Sequence, residues 1–227
     1  MYRLHIANKN YSSWSLRAWL LMQELGIAFQ EVLHPFGAEE DWQQYRRINP
    51  SALVPCLIDD DMVVWDSIAI IEYLAERHPG VWPDDDKARA WARCATAEMH
   101  SGFVQLRQIC SMSCGQRLEL KEITPPLTKD LERLDMLWQH GLQTFSGPFL
   151  AGKLFTAADA FYAPVVFRLQ TYGLQLGRAA MDYAHRMLAL DSMRNWYQQA
   201  LHEPYRDESH DREIAAFARQ TADLRQV

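Results

Sequence analysis

Hydrophobic and polar residues follow different patterns in the first third of the chain and in the rest. Residues 2–7 alternate between apolar and polar positions, which predicts a strand, and residues 28–33 predict a second one. Between them, residues 15–25 carry apolar side chains at helical spacing and end at Gly26, a residue suited to the turn after a helix. The chain therefore opens with a strand, a helix and a strand.

The pattern continues with a short helix over 41–47, a hairpin and another helix. Two apolar runs, 54–58 and 62–65, flank the polar turn at 59–61. Asp66 or Ser67 then caps a helix that ends at His78-Pro79. The order β-α-β-α-β-β-α predicts a small mixed sheet with helices on its faces, a thioredoxin-like layout.

Residues 78–86 combine proline, glycine and acidic residues, which is typical of a linker between domains. We place the boundary near residue 80, with one domain over 1–80 and an all-helical domain over 86–227. Helices are predicted at about 85–114, 124–145, 156–170, 179–187 and 189–201. Residues 206–227 are charged and predict either a terminal helix or partial disorder.

Charge and composition narrow the class of function. The chain has 227 residues, with 23 Lys and Arg against 29 Asp and Glu, so its formal charge is −6. Without a basic run it has no electrostatic footprint for nucleic acid, and an anionic membrane surface would repel it. Its longest apolar runs fall far short of the ~20 residues of a membrane helix, and its start lacks the apolar core of a signal peptide. We expect a soluble, cytoplasmic protein.

Metal and disulfide chemistry are not indicated. The four cysteines are too few and too irregularly spaced for a disulfide framework, and no CxxC motif occurs. Cys110 and Cys114, four apart in a predicted helix, are expected to be core or helix-surface thiols. The histidines, His5 and His34 among them, show no metal-ligand spacing. Thr156 and Asp159 have the spacing of a capping box, a structural feature.

A serine-rich loop lies where the first strand leads into the first helix. Ser12, Ser13 and Ser15 lie beside backbone N–H groups and the positive end of the helix dipole. A hydroxyl there can donate to the sulfur of a ligand and so favour its thiolate. The alternative is that these serines only cap the helix.

Two further segments are candidates for ligand binding. Pro55 opens a predicted strand, and a cis bond after Val54 would turn backbone groups toward an added peptide-like ligand; the alternative is an ordinary trans proline. Asp66 and Ser67 open a helix and suit the ammonium and carboxylate of an α-amino acid, or act only as a cap.

Charged side chains of the second domain give weaker candidates. His100 and Arg107, seven apart in the predicted helix over 85–114, fall on one face and suit a cleft between domains, or a solvated face. Arg168 and Tyr172, four apart on a later helix, have the same two interpretations.

Together these features resemble the cytosolic glutathione transferases. The most specific part is Asn49-Pro-Ser-Ala-Leu-Val-Pro-Cys-Leu57 followed by Asp66-Ser-Ile-Ala-Ile-Ile-Glu-Tyr-Leu74, and the resemblance covers nearly the whole chain. The loop from Ser12 to Arg17 looks most like the zeta class, Ser-Ser-Cys-Ser-x-Arg, and more loosely like the serine-dependent theta class. Trp14 replaces the zeta cysteine, which contributes to isomerisation of maleylacetoacetate.

The resemblance implies a site for glutathione. Val54, ahead of a cis Pro55, would pair with the cysteinyl unit, and Asp66 with Ser67 would hold the γ-glutamyl group. The zeta loop points to Ser12 as the activating hydroxyl, whereas the theta spacing points to Ser13, which we favour. The co-substrate is expected near Trp14, His100 and Arg107, although no family motif fixes these three.

The expected function is conjugation of glutathione to small electrophiles, as in detoxification, by a homodimer without a metal. The alternatives are a glutathione-dependent isomerase or dehalogenase, and a binding protein that keeps the fold without catalysis.

Overall fold

The protein is described by a computed structural model that covers residues 1–226. Its N-terminal part follows the predicted order: β1 (Tyr2–Ile6), α1 (Ser13–Glu24), β2 (Phe29–Leu33), α2 (Glu39–Ile48), β3 (Cys56–Asp59), β4 (Met62–Val64) and α3 (Ser67–Ala75). The four strands form one sheet in the order β2-β1-β3-β4, with β1 parallel to β2 and the other pairs antiparallel. The thioredoxin-like layout is confirmed.

The C-terminal part is mainly helical, as predicted. It holds α4 (Asp86–Ser101), α5 (Val104–Ile109), β5 (Gln116–Leu120), α6 (Pro125–Phe145), α7 (Ala157–Tyr172), α8 (Arg178–Leu188), α9 (Asp191–His202), α10 (Glu208–Phe217) and β6 (Ala218–Asp223). No helix within residues 1–226 is long and apolar enough to cross a membrane.

The single helix predicted over 85–114 is wrong, because the chain breaks after α4. Gly102 leaves the helix in an extended conformation, and Phe103 takes a left-handed one with φ of 52°. This turn buries the Phe103 ring beside Tyr162, at a centroid distance of 6.3 Å. Helix α5 then restarts where the backbone N–H of Leu106 donates to Asp130 at 2.9 Å. Cys110 caps α5 and Cys114 lies in the following loop.

A two-stranded antiparallel sheet of β5 and β6 adds to the predicted helical domain. The charged C-terminal segment predicted as a helix or partial disorder forms α10 and then β6, which pairs with a strand about a hundred residues earlier. Local patterning does not show such a partner.

Helix α7 is the centre of the core. Nearly all its residues are buried, including polar Arg168 and Thr171, so it is surrounded on every side. It packs against both α1 and α4, and the backbone N–H of Ala157 at its start donates to the carbonyl of Val81 in the linker at 2.9 Å. Residues 76–85, between α3 and α4, contain no helix or strand. The division into domains near residue 80 remains our proposal.

Asp159 anchors the start of α7. Its carboxylate accepts hydrogen bonds from the backbone N–H groups of Leu150 and Thr156, both at 2.9 Å, and from the Tyr183 hydroxyl at 3.1 Å. Burial raises the pKa of this carboxyl to about 6 despite these donors. Thr156 and Asp159 therefore cap α7 as predicted. In addition, the hydrogen bonds of Asp159 connect three segments of the helical domain.

Three of the four cysteines are buried and Cys94 is exposed, and all are free thiols. Burial raises the pKa of Cys56 to about 11 and that of Cys110 to about 12. These thiols stay protonated at neutral pH and act as packing groups, the role predicted for Cys110.

We expect Asp159→Ala to lower the free energy of unfolding by about 3 kcal/mol, because it leaves two buried N–H groups without an acceptor. Urea unfolding followed by tryptophan fluorescence measures the change. The matched control is Asp182→Ala on α8, whose side chain is 61% exposed; it should cost no more than about 0.5 kcal/mol. Equal stabilities of the two variants would contradict the anchoring role.

Candidate active site

The loop between β1 and α1 is fixed by the second domain. The backbone N–H of Lys9 donates to Glu203 at 2.9 Å, and its carbonyl accepts from the Trp196 indole at 2.9 Å. Asn10 donates its N–H to Glu203 at 3.3 Å and accepts at its carbonyl from the N–H of Cys114 at 3.1 Å. Buried backbone groups need such partners. The helical domain thus sets the position of the serines that follow.

The three serines of this loop have different environments. The hydroxyls of Ser12 and Ser15 share a hydrogen bond of 2.7 Å, and Ser15 also accepts from the N–H of Ala7 at 3.1 Å. Ser12 caps α1 by accepting from the N–H of Ser15 at 3.4 Å. Ser13 lines the cleft, and its hydroxyl has no hydrogen-bond partner within residues 1–226. Ser13 is the hydroxyl left available to a ligand.

Val54 presents a free backbone edge to the same cleft. The Val54–Pro55 peptide bond is cis, and within residues 1–226 neither the N–H nor the C=O of Val54 has a hydrogen-bond partner. The preceding turn is held by buried Asn49, whose amide donates to the carbonyl of Leu53 at 3.0 Å. An extended peptide can pair with such an edge.

Asp66 and Ser67 lie at the start of α3. One Asp66 oxygen accepts from the N–H of Ile68 at 3.0 Å, and the other lies 3.4 Å from Nε2 of His100 on α4. The Ser67 hydroxyl is buried and has no partner in the described part of the chain. Burial lowers the pKa of His100, so the contact with Asp66 pairs a carboxylate with a largely neutral ring at pH 7.

The cleft that holds these residues has a volume of about 440 Å³ and is lined by residues of both domains. Trp14 forms one wall, with the guanidinium carbon of Arg17 3.9 Å from its ring centroid and that of Arg107 at 5.7 Å. The cleft is lined by side chains from both domains: Tyr11, Ser12, Ser13, Trp14, Phe36, Trp42, Ala52, Leu53, Val54, Arg107, Ser111, Met112, Arg168, Asp207, Ser209, His210 and Glu213.

The structure brings together most of the predicted site residues. Ser12, Ser13, Trp14, Val54 and Arg107 line the cleft. His100 instead lies behind Trp14, at a ring-centroid distance of 5.3 Å, and beside Asp66. The predicted roles of these residues remain proposals.

Several cleft residues were not predicted. The C-terminal segment contributes His210, whose ring lies 4.9 Å from that of Tyr11. Arg225, which does not line the cleft, donates to the Tyr11 hydroxyl at 2.8 Å. Tyr11 directly precedes the serines, so its position in the sequence could have identified it as a cleft residue. Nothing in the local sequence indicates that α10 covers this site. Within residues 1–226 no group of His, Cys, Asp or Glu is arranged to hold a metal ion.

Comparisons with known proteins agree with this geometry. The glutathione S-transferase N-terminal domain model matches residues 11–77, and the C-terminal domain model matches residues 119–199. A probable maleylacetoacetate isomerase of Caenorhabditis elegans is 30% identical over 173 residues, which span 72% of this chain and 77% of the relative.

Two further proteins are similar over more of the chain. Glutathione S-transferase GstB of Escherichia coli is 25% identical over 86% of this chain and 92% of its own length. A crystal structure of a glutathione transferase homologue from Burkholderia with bound glutathione has a TM-score of 0.67 at 22% identity, covering 88% of this chain and 97% of that one. The chain belongs to the cytosolic glutathione transferase family and has its fold.

We expect Glu203→Gln to loosen the serine loop, because its carboxylate accepts from two buried N–H groups and the amide offers one acceptor and one donor. The free energy of unfolding should fall by about 1–3 kcal/mol. Hydrogen exchange at the amides of Lys9 and Asn10 should also become faster. The matched control is Glu208→Gln, at an exposed position on α10. If the two variants show equal exchange rates at Lys9 and Asn10, Glu203 does not hold the loop in place.

Proposed function

We propose that the protein is a glutathione transferase that activates the thiol of glutathione and conjugates it to small electrophiles. The carrying observation is the free Ser13 hydroxyl at the start of α1, in the same cleft as the unpaired backbone of Val54. A peptide that pairs with the backbone of Val54 would place its thiol near the Ser13 hydroxyl. That hydroxyl is free to donate because it makes no hydrogen bond within residues 1–226.

The backbone of glutathione has matching partners in the N-terminal domain. Its cysteinyl N–H and C=O would pair with the backbone of Val54, as an added strand does. Its γ-glutamyl carboxylate would meet the N-terminus of α3 and the unpartnered hydroxyl of Ser67, and its ammonium group would meet Asp66.

Activation follows from electrostatics at the N-terminus of α1. The Ser13 hydroxyl would donate to the sulfur and favour its charged form, and the helix dipole acts in the same direction. One such hydrogen bond supplies about 1.5–3 kcal/mol, equivalent to about one to two units of pKa. The thiol proton passes to solvent, the sulfur forms a bond to the electrophilic carbon, and the leaving group departs with its bonding electrons.

A glutathione-dependent isomerase is the second candidate, because the relative that is 30% identical is named a probable maleylacetoacetate isomerase. Trp14 stands where the zeta loop has its cysteine, so an isomerase would work without that thiol. Measuring conjugation of aryl halides and turnover of maleylacetoacetate analogues separates the two activities.

A dehalogenase would use the same thiolate. A non-catalytic binding protein is less favoured, because the Ser13 hydroxyl and the Val54 backbone have no hydrogen-bond partner within residues 1–226 and both residues line the cleft.

The family also predicts a homodimer and a cytoplasmic location. The exposed apolar side chains Met62 and Trp65 of the N-terminal domain offer a surface that a second subunit would cover. Sedimentation of the purified protein measures the oligomeric state.

The central test is the pair Ser13→Ala and Ser12→Ala. We expect Ser13→Ala to raise the pKa of bound glutathione by about one to two units and to slow conjugation about ten- to a hundredfold at neutral pH. Ultraviolet titration of the bound thiolate and the pH profile of kcat/KM measure both effects.

Ser12→Ala is the matched control, since it removes the helix cap and the bond to Ser15. It should lower the free energy of unfolding by about 1 kcal/mol and move the thiol pKa less than Ser13→Ala does. If Ser12→Ala alone shifts the thiol pKa, Ser12 is the activating residue. If neither substitution shifts it, the serine mechanism is wrong.

A further inference from the structure

Three arginines from three helices surround the wall of the cleft. Arg17 of α1 stacks on Trp14 on one side and lies 4.8 Å from the Phe161 ring centroid on the other. Arg107 of α5 and Arg168 of α7 both line the cleft itself. The co-substrate half of the site is therefore strongly cationic, although the chain as a whole carries a charge of −6.

These arginines have no carboxylate partner. Within residues 1–226, none of the three forms an ion pair. Buried N–H groups remain without an acceptor at Nε and Nη1 of Arg17, Nε of Arg107 and Nη1 of Arg168. A buried cation without a counter-charge is costly, and a bound anion would remove that cost.

Arg17 and Arg168 remain cationic at neutral pH. Burial, together with a smaller effect of the neighbouring arginines, lowers the pKa of Arg17 to about 9 and that of Arg168 to about 10. Guanidinium groups bind carboxylates with paired, charge-assisted hydrogen bonds. Arg168 keeps Nη1 for such a bond because its Nε already donates to the carbonyl of Cys110 at 2.7 Å.

The acidic groups that face the cleft lie elsewhere in it. Asp207 accepts from the N–H groups of Ser209 and His210 at 3.1 and 3.3 Å, so its charge is held at the N-terminus of α10. Glu213 is exposed on the same helix. In the described part of the chain, neither Asp207 nor Glu213 forms an ion pair with Arg17, Arg107 or Arg168.

We propose that Arg107 and Arg168 form an anion-binding subsite that makes the protein prefer electrophiles carrying a carboxylate over neutral ones. This subsite belongs to the proposed transferase site and rests on it. Both arginines come from the helical domain, whereas Val54 and Ser67, proposed for glutathione, come from the thioredoxin-like domain. The carboxylate is accordingly that of the second substrate, and Arg17 acts as a positioning residue for Trp14.

A matched pair of electrophiles tests the subsite. 4-Chloro-3-nitrobenzoate and 4-chloro-3-nitrobenzamide have nearly the same shape, and only the first is anionic. In each, the thiolate sulfur forms a bond to the ring carbon and chloride leaves with the bonding electrons. The rate enhancement, kcat/KM divided by the uncatalysed rate constant, should be at least about tenfold larger for the acid.

Variants of Arg107, which is only half-buried, locate the effect. Arg107→Gln should lower the acid-to-amide ratio about tenfold, and Arg107→Lys should retain part of it because the charge remains. Arg178→Gln removes an equal charge from an exposed position on α8 and should leave the ratio unchanged. A ratio that Arg107→Gln does not lower, or an equal loss for both substrates through the KM for glutathione, would overturn the proposal.

Binding without reaction keeps the subsite testable if conjugation itself fails. Calorimetry with the unreactive pair 3-nitrobenzoate and 3-nitrobenzamide, on protein saturated with glutathione, should show at least about tenfold tighter binding of the acid. Tighter binding of the acid without conjugation would contradict the transferase function and support the subsite. Equal binding of the two would overturn the subsite, whether or not the amide electrophile is conjugated.

Discussion

Buried Lys9 joins the two domains, and the geometry of the site depends on it. Its backbone is satisfied by Glu203 and Trp196 of the helical domain, while its ammonium group pairs with Glu31 of β2 at 2.6 Å. The ammonium group also lies 5.4 Å from the ring centroids of both Trp19 and Trp196. A loop whose polar backbone is buried cannot keep its conformation without these partners. The thioredoxin-like domain alone therefore does not position its serines.

This dependence explains why the chemistry lies at the boundary between the domains. The first domain supplies the backbone edge of Val54 and the start of α1, and the second supplies the arginines that face them. The net negative charge of the chain gives no long-range attraction to an anionic tripeptide, so attraction is local, from the helix termini. The site thus has buried arginines on one side of a cleft in an acidic protein.

The sequence predicts the N-terminal domain well because its signals are local. Alternation marks the strands, Gly26 follows the end of α1, and Asp66 caps α3 as its position implies. Helix α3 ends at Ala75, three residues before the predicted end at His78. The cis bond at Pro55 is different, since no residue pattern separates cis from trans, and only the resemblance to the family indicated it.

Features that depend on distant partners could not be predicted. Phe103 adopts a left-handed conformation because its ring packs beside Tyr162, and β5 pairs with a strand at the far end of the chain. For Arg168 the sequence left open whether it faces the cleft or solvent, and only the burial of α7 on all sides places it in the cleft lining. The choice between Ser12 and Ser13 likewise became sharper only when the structure showed Ser12 bound to Ser15.

The central claim is that the Ser13 hydroxyl is the group that meets the thiol of glutathione. A crystal structure of the protein with glutathione tests this most directly. The account predicts the sulfur within hydrogen-bonding distance of Ser13 Oγ, with the cysteinyl backbone paired to Val54. A sulfur that instead contacts Ser12 or Tyr11, or a tripeptide bound away from Val54, would contradict it.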